Sequence, residues 1–179
     1  ATFGSFVRAP NKFFPLEIPV GRSPQALNVT ADGLFVIAAC PSEQLAYVVE
    51  ADTQRVVKNA DGSPLTVGLG QGAAMILRAP NSLDGRDHFY VTNAADRSLS
   101  EVALDRAAAT WTFEHVRTLD NVGSMVRIAL SADGKTIFGA DASGTAVHRI
   151  SLATGSTMDI DVGGPSLDVA VIAGVGVNK

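Results

Sequence analysis

The chain has 179 residues, of which 46% are hydrophobic and 18% charged. That is enough apolar material for one cored domain, and it excludes a disordered tail. The formal net charge is -4, and the scattered arginines (among them Arg8, Arg22, Arg55, Arg78, Arg97, Arg127 and Arg149) form no basic run, which excludes the concentrated phosphate-neutralising surface of a nucleic-acid binder. The longest apolar stretches, Leu34–Cys40 and Leu167–Val177, are too short or too glycine-broken for a membrane-spanning helix.

Helical periodicity is almost absent. The best helix candidate, Asp105–Thr112, is short and alanine-rich and lies between strand patterns. Short apolar runs separated by Gly, Asp, Asn, Ser and Pro dominate instead and predict an all-β chain. In chain order, Ser5–Ala9 and Phe14–Val20 read as two strands. A first unit follows: a Gly21–Gly33 segment holding Ala26, Leu27 and Val29, then Leu34–Ala39, Leu45–Ala51 and Arg55–Val57. A second unit has Asp84-Gly85 at its turn, then Phe89–Thr92, Leu99–Leu104 and Thr112–Leu119. The third matches the first: Gly123–Gly134 holding Ile128, Ala129 and Leu130, then Thr136–Ala140, Ala146–Leu152 and Met158–Val162. Leu167–Ala173 reads as one more strand, while Gly176–Lys179 is too short to be a good one.

The units recur about every 50 residues, the length of a four-stranded propeller blade. Small and aliphatic residues suit the crowded inner strand a. Ile37, Tyr90 and Phe138 hold one register of strand b. On strand c, Tyr47, Val49 and Ala51 alternate with period two, as do His148, Ile150 and Leu152. The expected fold is therefore a β-propeller of four-stranded antiparallel blades, with blades at 21–69, 70–120 and 121–162. Residues 1–20 would give strands of a partial blade, and 163–179 the start of a further one.

Phe89-Tyr90-Val91-Thr92-Asn93 contains the Tyr-Val-Thr-Asn signature of the YVTN β-propeller repeat family. Ser131-Ala132-Asp133-Gly134-Lys135 resembles that family's Ser-Pro-Asp-Gly-Lys turn, and Gly21-Arg22-Ser23-Pro24 and Gly163-Gly164-Pro165 resemble its Gly-x-x-Pro lead-in to strand a. The resemblance covers about Phe14 to Val171 and departs at Cys40, where Asn93 and Asp141 stand in the other units. It implies a propeller related to surface-layer, amine-dehydrogenase-like and lactonase-like proteins. It also implies export, to a periplasmic, secreted or cell-surface location. The sequence begins at Ala1 with no charged and apolar leader, as a mature exported protein or a trimmed chain would.

An open ring leaves strand edges unpaired. Three closures are compatible with the pattern. The chain is a small four-bladed ring, or one half of an eight-bladed ring of two copies with two hybrid blades, or part of a larger propeller completed by another protein chain. A partial or shared ring ranks first.

Candidate chemistry is sparse. His88, His115 and His148 show no metal-ligand spacing and read as sheet histidines with solvent or backbone partners. Cys40, the sole cysteine, excludes an intrachain disulfide and reads as a small buried hydrophobe. Asp159 and Asp161, or Asp141 with Ser143-Gly144, could offer oxygens to calcium, but turn chemistry accounts for the second group. Gly68-Leu69-Gly70-Gln71-Gly72 precedes no helix, so it reads as an inter-blade loop rather than a phosphate cradle. Asn28-Val29-Thr30 fits a glycosylation sequon on an inner strand. No cofactor, metal or catalytic group is expected. The ligand candidates are the d-to-a and b-to-c loops at the channel mouth, with Arg22, Gln25, Gln71, Asn93, Arg97 and Asp141 foremost, and Ser23, Ser124 and Asp96 beside them.

The function expected is a non-catalytic binding or scaffold propeller outside the cytoplasm that presents these loops for protein or ligand recognition. The alternative is a subunit of a periplasmic oxidoreductase or lactonase-like propeller whose chemistry lies on a cofactor or another chain. A third class is a cell-surface structural array.

Overall fold

Beginning with an antiparallel hairpin, the chain continues through three antiparallel sheets laid face to face. The computed structural model describes residues 2–9, 12–80, 84–107 and 110–171, and among them there is no helix. The hairpin joins β1 (Thr2–Ala9) and β2 (Lys12–Pro19). The first sheet runs β3 (Ala26–Val29), β4 (Phe35–Cys40), β5 (Leu45–Glu50) and β6 (Arg55–Val56), with β7 (Thr66–Gly68) also pairing with β5. The second comprises β8 (Ala73–Arg78), β9 (Asp87–Asn93), β10 (Ser98–Asp105) and β11 (Thr112–Leu119). The third comprises β12 (Met125–Leu130), β13 (Thr136–Asp141), β14 (Ala146–Ser151) and β15 (Thr157–Asp161).

Each sheet is a meander, because consecutive strands are joined by tight turns. The turn between its first two strands is set by an aspartate and a glycine. In the first sheet Asp32 accepts the backbone N–H of Leu34 at 3.0 Å, and Gly33 takes φ +74°. Asp133 and Gly134 (φ +71°) repeat this in the third, where Asp133 accepts the Lys135 N–H at 3.1 Å. Left-handed backbone favours glycine, and the Asx bond closes the turn.

Two cores hold the stack together. Ile37 and Val48 of the first sheet pack against Phe89, Val91, Val102 and Leu104 of the second. Tyr90 and Leu99, on the opposite face of the second sheet, pack against Ile128, Ile137 and Ile150 of the third. Period-two alternation thus sends one set of side chains to each neighbour. The innermost strands β3, β8 and β12 contact one another in series. This is a segment of a β-propeller, and the described residues form no closed ring.

Three sequence expectations differ from the structure. The outer strand expected at Arg55–Val57 is split between β6 and β7, because the chain makes an excursion through Lys58 and Pro64 before returning to β5. The helix candidate Asp105–Thr112 is the link between β10 and β11, and residues 108–109 lie outside the described residues. Leu167–Val171 is not a strand, since no described strand lies beside it to pair with. Residues beyond 171, including Gly176–Lys179, lie outside the described residues. Among the described residues no helix is long and apolar enough to cross a membrane.

Candidate functional site

The loops before β3, β8 and β12 lie at the same end of the sheets as the turns joining β4 to β5, β9 to β10 and β13 to β14. In each sheet a glycine and a carboxylate fasten these two loops together. In the first, the N–H of Arg22, next to Gly21, donates to Glu43, and the Tyr47 hydroxyl donates to Glu43 Oε2 at 2.7 Å. In the second, the N–H of Gln71, next to Gly70, donates to Asp96 Oδ2 at 2.6 Å. In the third, the N–H of Ser124, next to Gly123, donates to Asp141.

The glycines are needed because of what lies against them. A Cβ on Gly70 would stand 2.7 Å from both Asn93 Cγ and Asp96 Oδ2. On Gly21 it would overlap Glu43 Oε2 and the Tyr47 ring, and on Gly123 the His148 ring. Such close approach of loop backbone to a polar side chain admits no side chain on the loop.

Asp141 is the most developed of these acceptors. Its Oδ1 receives the N–H and the hydroxyl of Ser143, each at 2.7 Å, and its Oδ2 lies 3.1 Å from His148 Nε2. The other ring nitrogen of His148 is 2.6 Å from Asp159 Oδ1. Burial works to raise the Asp141 carboxyl, but the Ser143 hydroxyl and the His148 ring outweigh it and hold the group down at about 2. The expectation of solvent or backbone partners for the sheet histidines is therefore corrected. His148 lies between two carboxylates, and His88 Nδ1 meets Glu101 Oε1 at 2.8 Å while its Nε2 faces Asp84. Cross-strand register brings His148 opposite Asp159, within hydrogen-bond reach.

The six foremost candidates divide into two sets. Arg22, Gln25, Gln71 and Arg97 are exposed on the loops. Asn93 and Asp141, which close strands β9 and β13, are buried beneath them. Asn93 Nδ2 donates to the hydroxyls of Ser98 and Ser100 at 3.0 and 2.9 Å, while its Oδ1 is buried without a partner. Arg97 takes φ 55°, as Gln44 does at the same place in the first sheet, and its carbonyl accepts the Val122 N–H at 3.0 Å. Ser124 Oγ donates to the Ala94 carbonyl at 2.9 Å, tying the second sheet's turn to the loop of the third. Ser23 and Asp96 are exposed and Ser124 is half-buried on these loops.

Beside the loops opens a cleft of about 500 Å³, lined by Gly70, Asp96, Ser98, Ser100, His115 and Asp120 among others. The sequence reading gave Ser98, Ser100 and Asp120 no role and took His115 as a sheet histidine; they converge through the pairing of β10 with β11, which sets Ser100 opposite Thr118. Cys40 is fully buried, and burial pushes its thiol up. Of the carboxylates considered for calcium, Asp159 Oδ1 meets His148, Asp141 meets Ser143 and His148, and Asp161 Oδ1 accepts the Gly163 N–H at 2.9 Å. Asn28 Nδ2 donates across to the Ile76 carbonyl at 3.1 Å.

No protein-family model matches the chain, and no curated protein matches it. Solved structures do. The β-propeller domain of Cps50 (Swd1) from Myceliophteria thermophila aligns with TM-score 0.64 and 13% identity, over 86% of this chain and 50% of that one. Hydrazine synthase of Kuenenia stuttgartiensis aligns with TM-score 0.61 and 21% identity, over 84% and 40%. The periplasmic gluconolactonase PpgL of Pseudomonas aeruginosa aligns with TM-score 0.59 and 21% identity, over 86% and 43%. At these identities the likeness concerns the fold, and the chain spans half or less of the length of each of these chains.

Proposed function

We propose that the chain is part of an extracytoplasmic, YVTN-type propeller that binds rather than transforms its ligand, through the loops carrying Arg22, Gln25, Gln71 and Arg97. A second copy or another chain completes the ring. The observation that carries this reading is the fastening of those loops. Backbone N–H groups of Arg22, Gln71 and Ser124 are each held by a carboxylate, so the exposed side chains stand on a pre-organised frame next to a polar cleft. A frame ordered before binding spares the ligand that ordering cost. The Tyr-Val-Thr-Asn segment ending at Asn93 supports the repeat family, and a periplasmic propeller among the structural neighbours supports the location.

The test is a thermal-shift screen of the purified chain against saccharides, short peptides and hexose lactones. The expected result is a ligand that raises the wild-type midpoint but not that of an Arg22→Ala/Arg97→Ala variant whose own midpoint is unchanged. A ligand bound equally well by that variant would remove the loops from the reading. Turnover of a lactone or of a redox dye would replace binding with the enzymatic alternative.

A further inference from the structure

The chain's one tryptophan, Trp111, lies at the outer rim, at the end of the sheets opposite the fastened loops. It stands in the link from β10 into β11, the outermost strand of the second sheet. An edge-on contact with the buried Phe35 ring, 4.9 Å between centres and 86° between planes, fixes its indole. Trp111 also packs against the core between the first and second sheets, yet it is only partly buried. An aromatic side chain left open at a fixed angle is a platform for another flat group.

The excursion between β6 and β7 builds a wall beside it. Its turn is held by its own bonds. Asn59 donates its backbone N–H to the Ser63 carbonyl at 2.8 Å, Gly62 donates to the Asn59 carbonyl at 3.0 Å, and the Ser63 hydroxyl donates to Asp61 Oδ1 at 2.6 Å. Two hollows open between this wall and Trp111. One, of about 330 Å³, is lined by Glu50, Thr53 and Arg55; the other, of about 350 Å³, by Asn59, Ala60 and Thr110. Val57, Lys58 and Trp111 line both. Each lies at the lower end of the volumes that hold small ligands, about 300–1,000 Å³.

The charges here are unbalanced. Glu50 stands opposite Arg55 in the strand pair, but its Oε2 accepts the Thr53 hydroxyl at 2.5 Å. Among the described residues neither Arg55 nor Lys58 forms an ion pair, whereas Arg86, Arg106 and Arg117 all do. Two exposed cations and one carboxylate thus share the hollow beside the indole. That set suits a negative charge carried on a flat apolar body. The body lies against the indole, and the charge meets guanidinium and ammonium donors.

We propose that the hollows at Trp111 bind a small organic anion, a carboxylate carried on a flat ring, with the indole as its platform and Arg55 and Lys58 as its charge partners. The site shares no residue with the loops carrying Arg22, Gln25, Gln71 and Arg97, so it is a second binding site on the chain, independent of the first.

The sole tryptophan reports on its own site. The 179-residue chain is titrated with benzoate and, separately, with benzamide, which has the same ring and no charge, at constant ionic strength. Trp111 emission is excited at the red edge of its absorption, where neither probe absorbs. Benzoate should change that emission saturably, with an affinity on the order of tenfold above that of benzamide. In Arg55→Gln/Lys58→Gln, benzoate should fall to the benzamide level while the urea midpoint stays. The wild-type comparison of the two probes holds whether or not that variant folds. No saturable change with benzoate, equal affinities for the two probes, or an undiminished response in the glutamine variant would each overturn the proposal. So would benzoate retained in equilibrium dialysis with Trp111 emission unmoved. That result would seat the anion elsewhere, as in the cleft that Arg55 and Lys58 line together with Tyr47. The loop reading is tested apart: Arg22→Ala/Arg97→Ala should keep the full benzoate response, and its loss there would assign the anion to the loops and end this proposal.

Discussion

Replacing Gly123 by alanine tests the fastening of the loops directly. Gly123 sits at φ +91°, and the three atoms nearest its added Cβ all belong to the imidazole of His148, with Cε1 at 2.7 Å. A flexible side chain could swing aside, but this ring is buried and held at both nitrogens by Asp141 and Asp159. The left-handed backbone costs roughly 1 kcal/mol for a residue with a Cβ. Displacing the ring weakens two hydrogen bonds to charged groups, each worth about 1.5–3 kcal/mol. Restricting the unfolded chain costs alanine about 0.5 kcal/mol less than glycine, a term common to any such change. The expected loss is about 3–5 kcal/mol, a large share of a typical domain stability of about 5–15 kcal/mol. Gly33→Ala is the control: its φ is +74° and nothing lies within 4 Å of the added Cβ, so only the backbone term of about 1 kcal/mol applies. Urea unfolding of both variants, with midpoints converted through a shared slope, measures the difference. Equal costs, within about half a kcal/mol, would mean that His148 yields freely and that the glycine has no fastening role.

Acid unfolding should report Asp141. Its native carboxyl is held near 2 against an ordinary 3.8, so the ionised form is favoured by folding. That contribution, about 2 kcal/mol at 1.36 kcal/mol per unit, is complete above pH about 4 and lost as pH falls through about 2. Urea midpoints of wild type should therefore drop across that window, and those of Asp141→Asn should drop less. Cys40 is fully buried with its thiol raised by burial, so a disulfide reagent should label it only after denaturation; stoichiometric labelling of the native chain would contradict the packing of β4. Arg106 joins the first two sheets, bonding Asp32 Oδ2 at 2.6 Å and Asp87 Oδ2 at 2.7 Å and lying 5.0 Å from the Phe35 ring centre. Arg106→Ala should cost about 1–2 kcal/mol, and the cost should shrink in high salt; a salt-independent loss would assign it to packing alone.

Much of the fold was legible because a sheet buried on both faces leaves a strong mark on sequence. Ile37 and Tyr90 hold one register because each fills the gap toward the next sheet, and Phe138 stands at the same register of the third; the Asp-Gly turns recur because the backbone there must turn left-handed. Local signals failed where pairing is non-local. Nothing in Arg55–Val57 says that the chain leaves after two strand residues and that Thr66–Gly68 returns to the same partner. The site was less legible than the fold. The exposure of Arg22, Gln25, Gln71 and Arg97 could be read from loop position, but the partners of Asn93 and Asp141 could not. His148 and Asp159 are 11 residues apart, and only the pairing of β14 with β15 sets them opposite one another. Carrying the register of β13 against β14 through to β15 would have found that pair; the convergence of Ser98, Ser100 and Asp120 on one cleft rests in the same way on the register of β10 against β11.

The three fastenings also explain why the repeats share so little at this end. One geometry is built with three chemistries: a Tyr47 hydroxyl on Glu43, an Asn93 amide with two serines beside Asp96, and a His148 ring on Asp141. What recurs is a backbone requirement, a glycine against which a polar group lies, and an N–H one residue later that a carboxylate must accept. Tyr47, Ser100 and His148 stand at equivalent strand positions and differ completely as side chains, yet each lies beneath the same loop. A selection acting only on that backbone would conserve the glycine and some acceptor, and leave Arg22, Gln71 and Ser124, the residues after each glycine, free to vary. Those residues contribute their N–H to the frame. The side chains of Arg22 and Gln71 are exposed on the surface. The frame can thus stay constant while the residues displayed on it change, as a recognition surface built on a rigid scaffold requires.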